Sequence, residues 1–245
     1  MQDSDFLLKE KYNSKRSWRF YIDLLKLKLG YPLSYLLGKQ PFLDLNIDLK
    51  YKPLIPRPET EFWLSEYVLS DFADKNDLKA LDIFAGSGAI GLALAKHSPQ
   101  TQVTLSDKYT KAVKQIKTNA KLNKIENIEI VQSDVFDKID GRFDLILANP
   151  PYVSGQPKDT SFSLSVLFFE PLEAVFSKKR GLFFVEKLLK EAKAHMKPNA
   201  MMFIEFDPWQ KSEIKKLAQK YDWKYFEFLN DQYGKPRIVQ LKLAD

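Results

Sequence analysis

The sequence contains no cysteine. That excludes disulfides, thiolate zinc sites and a cysteine nucleophile. Histidine is almost absent: only His97 and His195 occur, far apart in the chain. A histidine-based metal site and a Ser-His-Asp triad are therefore not expected, and no metal is anticipated. No apolar run is long enough to span a bilayer, so no membrane association is expected. The first residues, Met1-Gln2-Asp3-Ser4-Asp5, lack the basic region and apolar core of a signal peptide, which points to the cytoplasm. Arginine is scarce, with six against 32 lysines. Arginine is the side chain suited to bidentate recognition of phosphates and bases. The lysines are spread along the whole chain, as on solvated helix faces. The net charge of +6 helps approach to polyanions, but no stable nucleic-acid binding is expected from it. Repeats, low-complexity segments and a clear linker are also missing.

What is present is a globular composition. The 245 residues are 44% hydrophobic and 29% charged, enough for one good core or one core with a small appendage. Apolar residues at Leu7, Leu8, Trp18, Tyr21, Ile22, Leu25 and Leu29 predict one or two helices over residues 3–30, stopped by Gly30 and Pro32. Residues 31–38 predict a short helical turn, and the alternation over 41–55 predicts a β-hairpin. Pro58 suits the first turn of a helix whose positive end would carry Glu59 and Glu61. The expected division is a small N-terminal helical and hairpin region, residues 1–55, and a main domain, residues 56–245.

From residue 79 the pattern alternates. Strands are predicted at 79–84, 101–106, 127–132, 142–148, 200–206, 223–229 and 237–243, with helices near 88–97, 108–122, 180–196 and 208–221. Such alternation implies an α/β fold with a mostly parallel sheet covered on both faces. The last two strands have no helix between them, so one strand is expected to run antiparallel.

Four groups fall at the carboxyl ends of successive strands, where open α/β sheets bind ligands. The first strand ends in Asp82-Ile83-Phe84-Ala85-Gly86-Ser87-Gly88, a glycine-containing turn that lets a ligand approach the backbone. The string Gly86-x-Gly88-x-x-Gly91 also fits a dinucleotide fingerprint, with Asp107 19 residues beyond Gly88. Asp107 closes the second strand and suits the two ribose hydroxyls of an adenosine, or the cap of the following helix. Asp134 and Val135 follow the third strand and suit an adenine ring, or an ordinary turn. Asn149-Pro150-Pro151-Tyr152 follows the fourth. The prolines lack N–H donors, so their carbonyls stay free to accept; Asn149 has one acceptor and two donors; Tyr152 has a flat face. These four residues suit a planar amine or amide, or a proline-stiffened loop around a buried tyrosine. A dehydrogenase would need a place for a second nucleotide, and the Asn-Pro-Pro-Tyr turn fills it.

With these residues in place, the chain resembles the class I S-adenosylmethionine-dependent methyltransferases. Residues 82–88 look like their first motif, and residues 149–152 like the motif of those that methylate amide or exocyclic amine nitrogen. Within that group it is similar to the family that methylates a glutamine of peptide chain release factors. Pro32-Leu33-Ser34-Tyr35-Leu36-Leu37-Gly38, Leu54 to Glu61, Glu205-Phe206-Asp207-Pro208-Trp209-Gln210 and Asp231 to Arg237 carry the closer match, which covers residues 30–243.

The resemblance implies a Rossmann-like seven-stranded sheet and S-adenosyl-L-methionine as cofactor, held by Asp82, Phe84, Ala85, Gly86, Ser87, Gly88, Asp107, Asp134, Val135 and Asn149. It implies a release factor as protein substrate, with Asn149, Pro150, Pro151 and Tyr152 at the acceptor glutamine and Asn149, Pro150 and Tyr152 in catalytic roles. Phe84 stands where the family often has glycine, so the loop is expected to meet the methionine moiety differently. Val135 stands where some members place an aromatic over the adenine. The alternatives are a ribosomal-protein glutamine, an exocyclic amine of a nucleic-acid base, and a non-catalytic module that binds S-adenosylmethionine.

Overall fold

The computed structural model describes residues 3–73, 75, 77–154 and 169–244. The chain opens with three helices, α1 (Asp3–Tyr12), α2 (Trp18–Lys28) and α3 (Leu33–Leu37). Ser17 caps α2 by accepting from the Phe20 amide at 3.3 Å. Gly38 ends α3 at φ 76°, where its N–H donates to the Ser34 carbonyl; a side chain there would strain the backbone. A hairpin follows, β1 (Lys39–Phe42) and β2 (Leu45–Asp48). It is shorter than the alternation over 41–55 predicts, because residues 49–57 leave the ladder and run on as irregular chain.

Helix α4 (Pro58–Trp63) starts with proline in its first turn, which costs nothing where the amide has no partner. It widens into a π-helical stretch, Leu64–Leu69, and ends as α5 (Ser70–Phe72). The main sheet then builds from β3 (Lys79–Ile83), β4 (Gln102–Asp107), β5 (Ile128–Gln132) and β6 (Phe143–Ala148), with α6 (Ala89–His97) and α7 (Thr110–Asn123) between them. A two-residue parallel bridge joins β7 (Val153–Ser154) to β8 (Phe176–Ser177), with the short α8 (Leu172–Val175) before it. The chain closes with α9 (Phe183–Glu191), β9 (Met196–Glu205), α10 (Lys211–Lys220), β10 (Tyr225–Asn230) and β11 (Pro236–Lys242).

The seven strands lie in the order β10-β11-β9-β6-β3-β4-β5. All neighbouring pairs from β9 to β5 are parallel, and β11 runs antiparallel to both its neighbours. The expected α/β architecture and its one antiparallel strand are thus present. The strand order reverses between β3 and β6, and the ligand crevice of such sheets lies at that switch.

Apolar side chains fill both faces of the sheet. One core gathers Trp63, Leu92, Leu94, Leu105 and Leu145; the other gathers Leu81, Ile146, Leu188, Met202 and Phe206. Phe42, Leu45, Ile47 and Leu49 of the hairpin belong to the first of these cores, whereas α1–α3 pack around their own small centre of Leu7, Phe20 and Leu36. In packing terms the small unit ends with α3, and the hairpin is part of the main body.

The hairpin is also held through polar groups. Gln115, Asn119 and Asn123 lie at i, i+4 and i+8 on α7, hence on one face. The Asn123 amide exchanges two 3.0 Å hydrogen bonds with the Asn46 backbone. Asn119 Oδ1 accepts from Asp48 N at 2.8 Å, and Gln115 Oε1 accepts from Tyr51 N at 2.8 Å. Asn119 Nδ2 also donates to the Ser87 carbonyl at 2.8 Å, tying the same helix to the turn after β3.

Candidate active site

A cavity of about 650 Å³ opens at the carboxyl edge of the sheet. Its walls include Phe84, Ala85, Gly86 and Ser87 from the turn after β3, Asp107 after β4, Asp134 and Val135 after β5, and Asn149 and Pro151 after β6. The far side is closed by residues 51–57 with Thr60, and by Phe169, Glu170 and Phe184. Nine of the thirteen residues expected at the site therefore line one cavity.

The other four lie behind it. Asp82 is fully buried in β3, and its Oδ2 accepts from the Gly91 amide at 2.8 Å. It fastens α6 to the sheet and has no place in the cavity wall. A side chain at Gly91 would collide with Leu105 and Asp82, so glycine is what lets the helix approach this closely. Gly88 takes φ 82° at the start of α6 and packs on Leu92 and Ile116. Pro150 is buried. Tyr152 turns its hydroxyl to Glu205 Oε1 at 3.1 Å, so its polar end is anchored away from the cavity wall.

Two turn residues adopt left-handed backbone without being glycine: Phe84 at φ 66° and Val135 at φ 54°. That conformation is uncommon for bulky side chains and strained for a β-branched one. Phe84 thus keeps the backbone course that glycine takes freely, and its ring packs edge-on against Phe184 at 5.1 Å. Asp107 holds the turn in shape. Its Oδ2 accepts from Gly86 N and its Oδ1 from Tyr109 N, both at 2.9 Å, and the Lys108 amide also donates to it, leaving part of the carboxylate's four-site acceptor capacity open. Burial raises the Asp107 carboxyl above its ordinary value, against these backbone hydrogen bonds. Asp134 is paired with Lys108 at 2.6 Å near the rim.

The Asn-Pro-Pro-Tyr turn rests on residues whose sequence context assigned them no role. Glu205, at the end of β9, is almost completely buried. Its Oε2 accepts from Thr60 Oγ1 at 2.7 Å and Trp63 Nε1 at 2.8 Å, and its Oε1 accepts from Tyr152. Burial raises its carboxyl above the usual range, opposed by these donors and by the Arg237 guanidinium. Burial and the neighbouring Glu205 push the Tyr152 phenol well up, so it remains protonated and donates. Asn149 Nδ2 reaches Thr60 Oγ1 at 3.4 Å. Gln210, also buried, donates to the Tyr152 carbonyl at 2.9 Å and accepts from Asp207 N at 3.0 Å. Gly181 packs directly on that carbonyl. Glu170 accepts from Ile55 N at 3.1 Å and pairs with Arg57 at 2.5 Å, bracing the strand of chain that closes the cavity.

Sequence offered a signal for some of these. Glu205 ends an apolar run, Met201-Met202-Phe203-Ile204, and a carboxylate buried in such a strand needs partners. Thr60 and Gln210 lie in the stretches that carry the family likeness. Gly181 gave no signal, because its role is set by a contact with residue 152.

Residues 64–198 match the family model described as the methyltransferase small domain. A Buchnera aphidicola subsp. Schizaphis graminum protein named release factor glutamine methyltransferase is 33% identical over 233 residues, covering 95% of this chain and 82% of its own. A Lactococcus lactis protein of the same name is 36% identical over 214 residues, covering 86% and 77%. The chain belongs to the release factor glutamine methyltransferase family. Among solved structures, a methyltransferase from Pyrococcus furiosus superposes with a TM-score of 0.62 at 19% identity, over 83% of this chain and 91% of that one. A Thermus thermophilus 16S rRNA methyltransferase, solved with AdoMet and guanosine, gives 0.61 at 18% identity, over 84% and 50%. At that identity the likeness to the solved structures concerns the fold. The chemistry particular to release factor glutamine methyltransferases rests on the closer relatives and on the cavity itself.

Proposed function

We propose that this chain transfers a methyl group from S-adenosylmethionine to the side-chain amide nitrogen of the glutamine in the Gly-Gly-Gln motif of peptide chain release factors. The observation that carries the proposal is one cavity that joins the turn at residues 84–87, and Asp107 beside it, to Asn149, which is linked in turn to Thr60 of the Arg57–Glu61 run. The cavity volume suits a nucleoside with an amino-acid tail and an inserted side chain. Asp107 has lone pairs left for ribose hydroxyls, and Val135 offers an apolar wall to a base.

Bound S-adenosylmethionine supplies an electrophilic methyl on a sulfonium. The residues of this chain would orient the nucleophile. An amide nitrogen is poor in this role because its lone pair is conjugated with the carbonyl. Asn149 Oδ1 and the Pro150 carbonyl are proposed to accept its two hydrogens. That turns the lone pair toward the methyl and draws charge onto nitrogen. Tyr152 holds the turn by its bond to Glu205. Positioning of this kind is worth up to roughly 7–11 kcal/mol. No strong base is placed beside Asn149 among the described residues, and the proton leaves to solvent after transfer.

Residues 1–55 are proposed to take part in docking the factor, with residues 56–245 carrying the transfer. Cytoplasmic location and the absence of stable nucleic-acid binding belong to the same reading. Among the described residues no helix is long and apolar enough to cross a membrane. The test is mass spectrometry of a purified release factor after incubation with the chain and S-adenosylmethionine. One added methyl on the Gly-Gly-Gln glutamine is expected. An unmodified factor together with a methylated RNA overturns the proposal.

A further inference from the structure

The run Arg57–Glu61 lies beside the Asn-Pro-Pro-Tyr turn through one hydroxyl. Thr60 Oγ1 sits between Glu205 Oε2 at 2.7 Å and Asn149 Nδ2 at 3.4 Å, and Thr60 itself is buried. A threonine hydroxyl has one proton. Burial raises the Glu205 carboxyl, but the three donors it faces, Thr60, Trp63 and Tyr152, and the Arg237 guanidinium all favour the carboxylate form, which only accepts. Trp63 Nε1 is itself donor-only, so Oε2 must offer it a lone pair. The Thr60 proton therefore points to Glu205, and what Thr60 shows to Asn149 is a lone pair. The two ends of an asparagine amide are told apart by their partners. Here the partner accepts, so the NH2 end is drawn to Thr60 and Oδ1 is left for the cavity.

We propose that Thr60, with its proton committed to Glu205, is a specificity-determining positioning residue that fixes the Asn149 amide with oxygen toward the substrate, so that the site takes an amide in preference to a carboxylate. This rests on the acceptor being a glutamine side chain. A glutamine presents two N–H hydrogens that need acceptors. A glutamate in the same place presents lone pairs against Asn149 Oδ1 and is repelled. Without Thr60's hydroxyl the Asn149 amide is free to turn over and offer its NH2 end to a carboxylate.

The experiment compares two competitors of methylation, the unmethylatable release factor with glutamate at the acceptor position and the methylated product factor. Wild type, Thr60→Val and Thr60→Ser are measured, each with its S-adenosylmethionine affinity. Wild type is expected to bind the glutamate form weaker than the product by roughly tenfold or more, since a site built to pair with N–H groups rejects an analogue lacking them. Thr60→Val keeps the shape and loses the hydroxyl. It is expected to bring the ratio within about threefold and lower kcat at least tenfold, with cofactor affinity held. Thr60→Ser is expected to restore both.

A wild-type ratio that persists in Thr60→Val, or a Thr60→Val enzyme with unchanged kcat, overturns the proposal. If Thr60→Val fails to bind cofactor, Thr60→Ala carries the same comparison. Failure of wild type to methylate the factor at all is a different result and sinks the reading of the acceptor instead.

Discussion

Gly181 lies outside every motif, yet its replacement by alanine is expected to damage the site severely. An added methyl carbon would stand 1.9 Å from the Tyr152 carbonyl oxygen, 2.8 Å from the carbonyl carbon and 2.5 Å from Gln210 Nε2. Since ordinary contact begins at 3.4 Å, the two backbone segments must part by about 1.5 Å. Gly181 also holds φ +80°, and an L-residue there adds roughly 1–2 kcal/mol. Separation breaks the Gln210–Tyr152 hydrogen bond, worth about 1 kcal/mol. The sum, about 2–3 kcal/mol, lowers the melting temperature of a chain this size by roughly 4–12 °C. The catalytic effect is larger. A carbonyl displaced by more than 1 Å takes Pro151 and Asn149 with it, and a misplacement of that size costs about 100-fold in rate. The turn at residues 84–88 stands on other strands, so cofactor affinity is expected to hold within a few fold. Steady-state methylation of a release factor, calorimetric melting and titration with S-adenosylmethionine measure the three quantities. Gly181→Ala with kcat within threefold of wild type refutes the claim that this contact sets the acceptor turn.

Three further outcomes follow from described contacts. Asn149→Ala removes the proposed amide acceptor and is expected to lower kcat by about 10³-fold while cofactor affinity stays within a few fold; an active variant measured in the same assay rules out the orienting role. Burial raises the Asp82 carboxyl to about 7. The folded state therefore binds more protons than the unfolded one between the ordinary carboxylate range and neutrality, and stability falls as pH rises through that window, by up to about 4 kcal/mol from this group. Asp82→Asn is expected to flatten that dependence in denaturant unfolding measured from pH 4 to 8, and a slope equal to wild type refutes the assignment. Arg57→Ala strands the buried Glu170 carboxylate and is expected to cost roughly 3 kcal/mol, the low end for such a pair because Arg57 is partly exposed. Adding Glu170→Gln is expected to return part of that stability, and additive losses in the double variant would show that the two side chains act independently.

Strand positions were legible because β6 and the second half of β9 are apolar runs and β4 alternates apolar with polar residues, and the carboxyl ends of the parallel strands indicate where ligand groups meet. The cofactor side followed from local signals, since the turn after β3 and Asp107 each sit next to a strand in sequence. The acceptor side did not. Thr60, Glu205, Gln210 and Gly181 reach Asn149 or Tyr152 from three distant segments, and a hydrogen bond between residues 60 and 205 leaves no periodicity behind. Asp82 belongs to the motif by spacing, and in the fold its Oδ2 accepts from the Gly91 amide behind the cavity, a contact the sequence does not show. Likewise, alternation marks a hairpin but not which core receives it, and here the hairpin's apolar side chains join the core of the main sheet.

The three amides along α7 have a consequence for how this chain can change length. Gln115, Asn119 and Asn123 meet the backbone at Tyr51, Asp48 and Asn46 in step, and Asn119 also meets Ser87. A point substitution loses one rung. Deleting or inserting a single residue between Gln115 and Asn123 turns the rest of the helix by about 100°, which takes rungs out of register with β2 together. The helix thus acts as a gauge of length: a gap in this stretch is expected to unseat the hairpin, and the turn that follows is no freer, because Ile125 is buried in the core and Asn127 Nδ2 donates to the Ala95, Pro99 and Thr101 carbonyls.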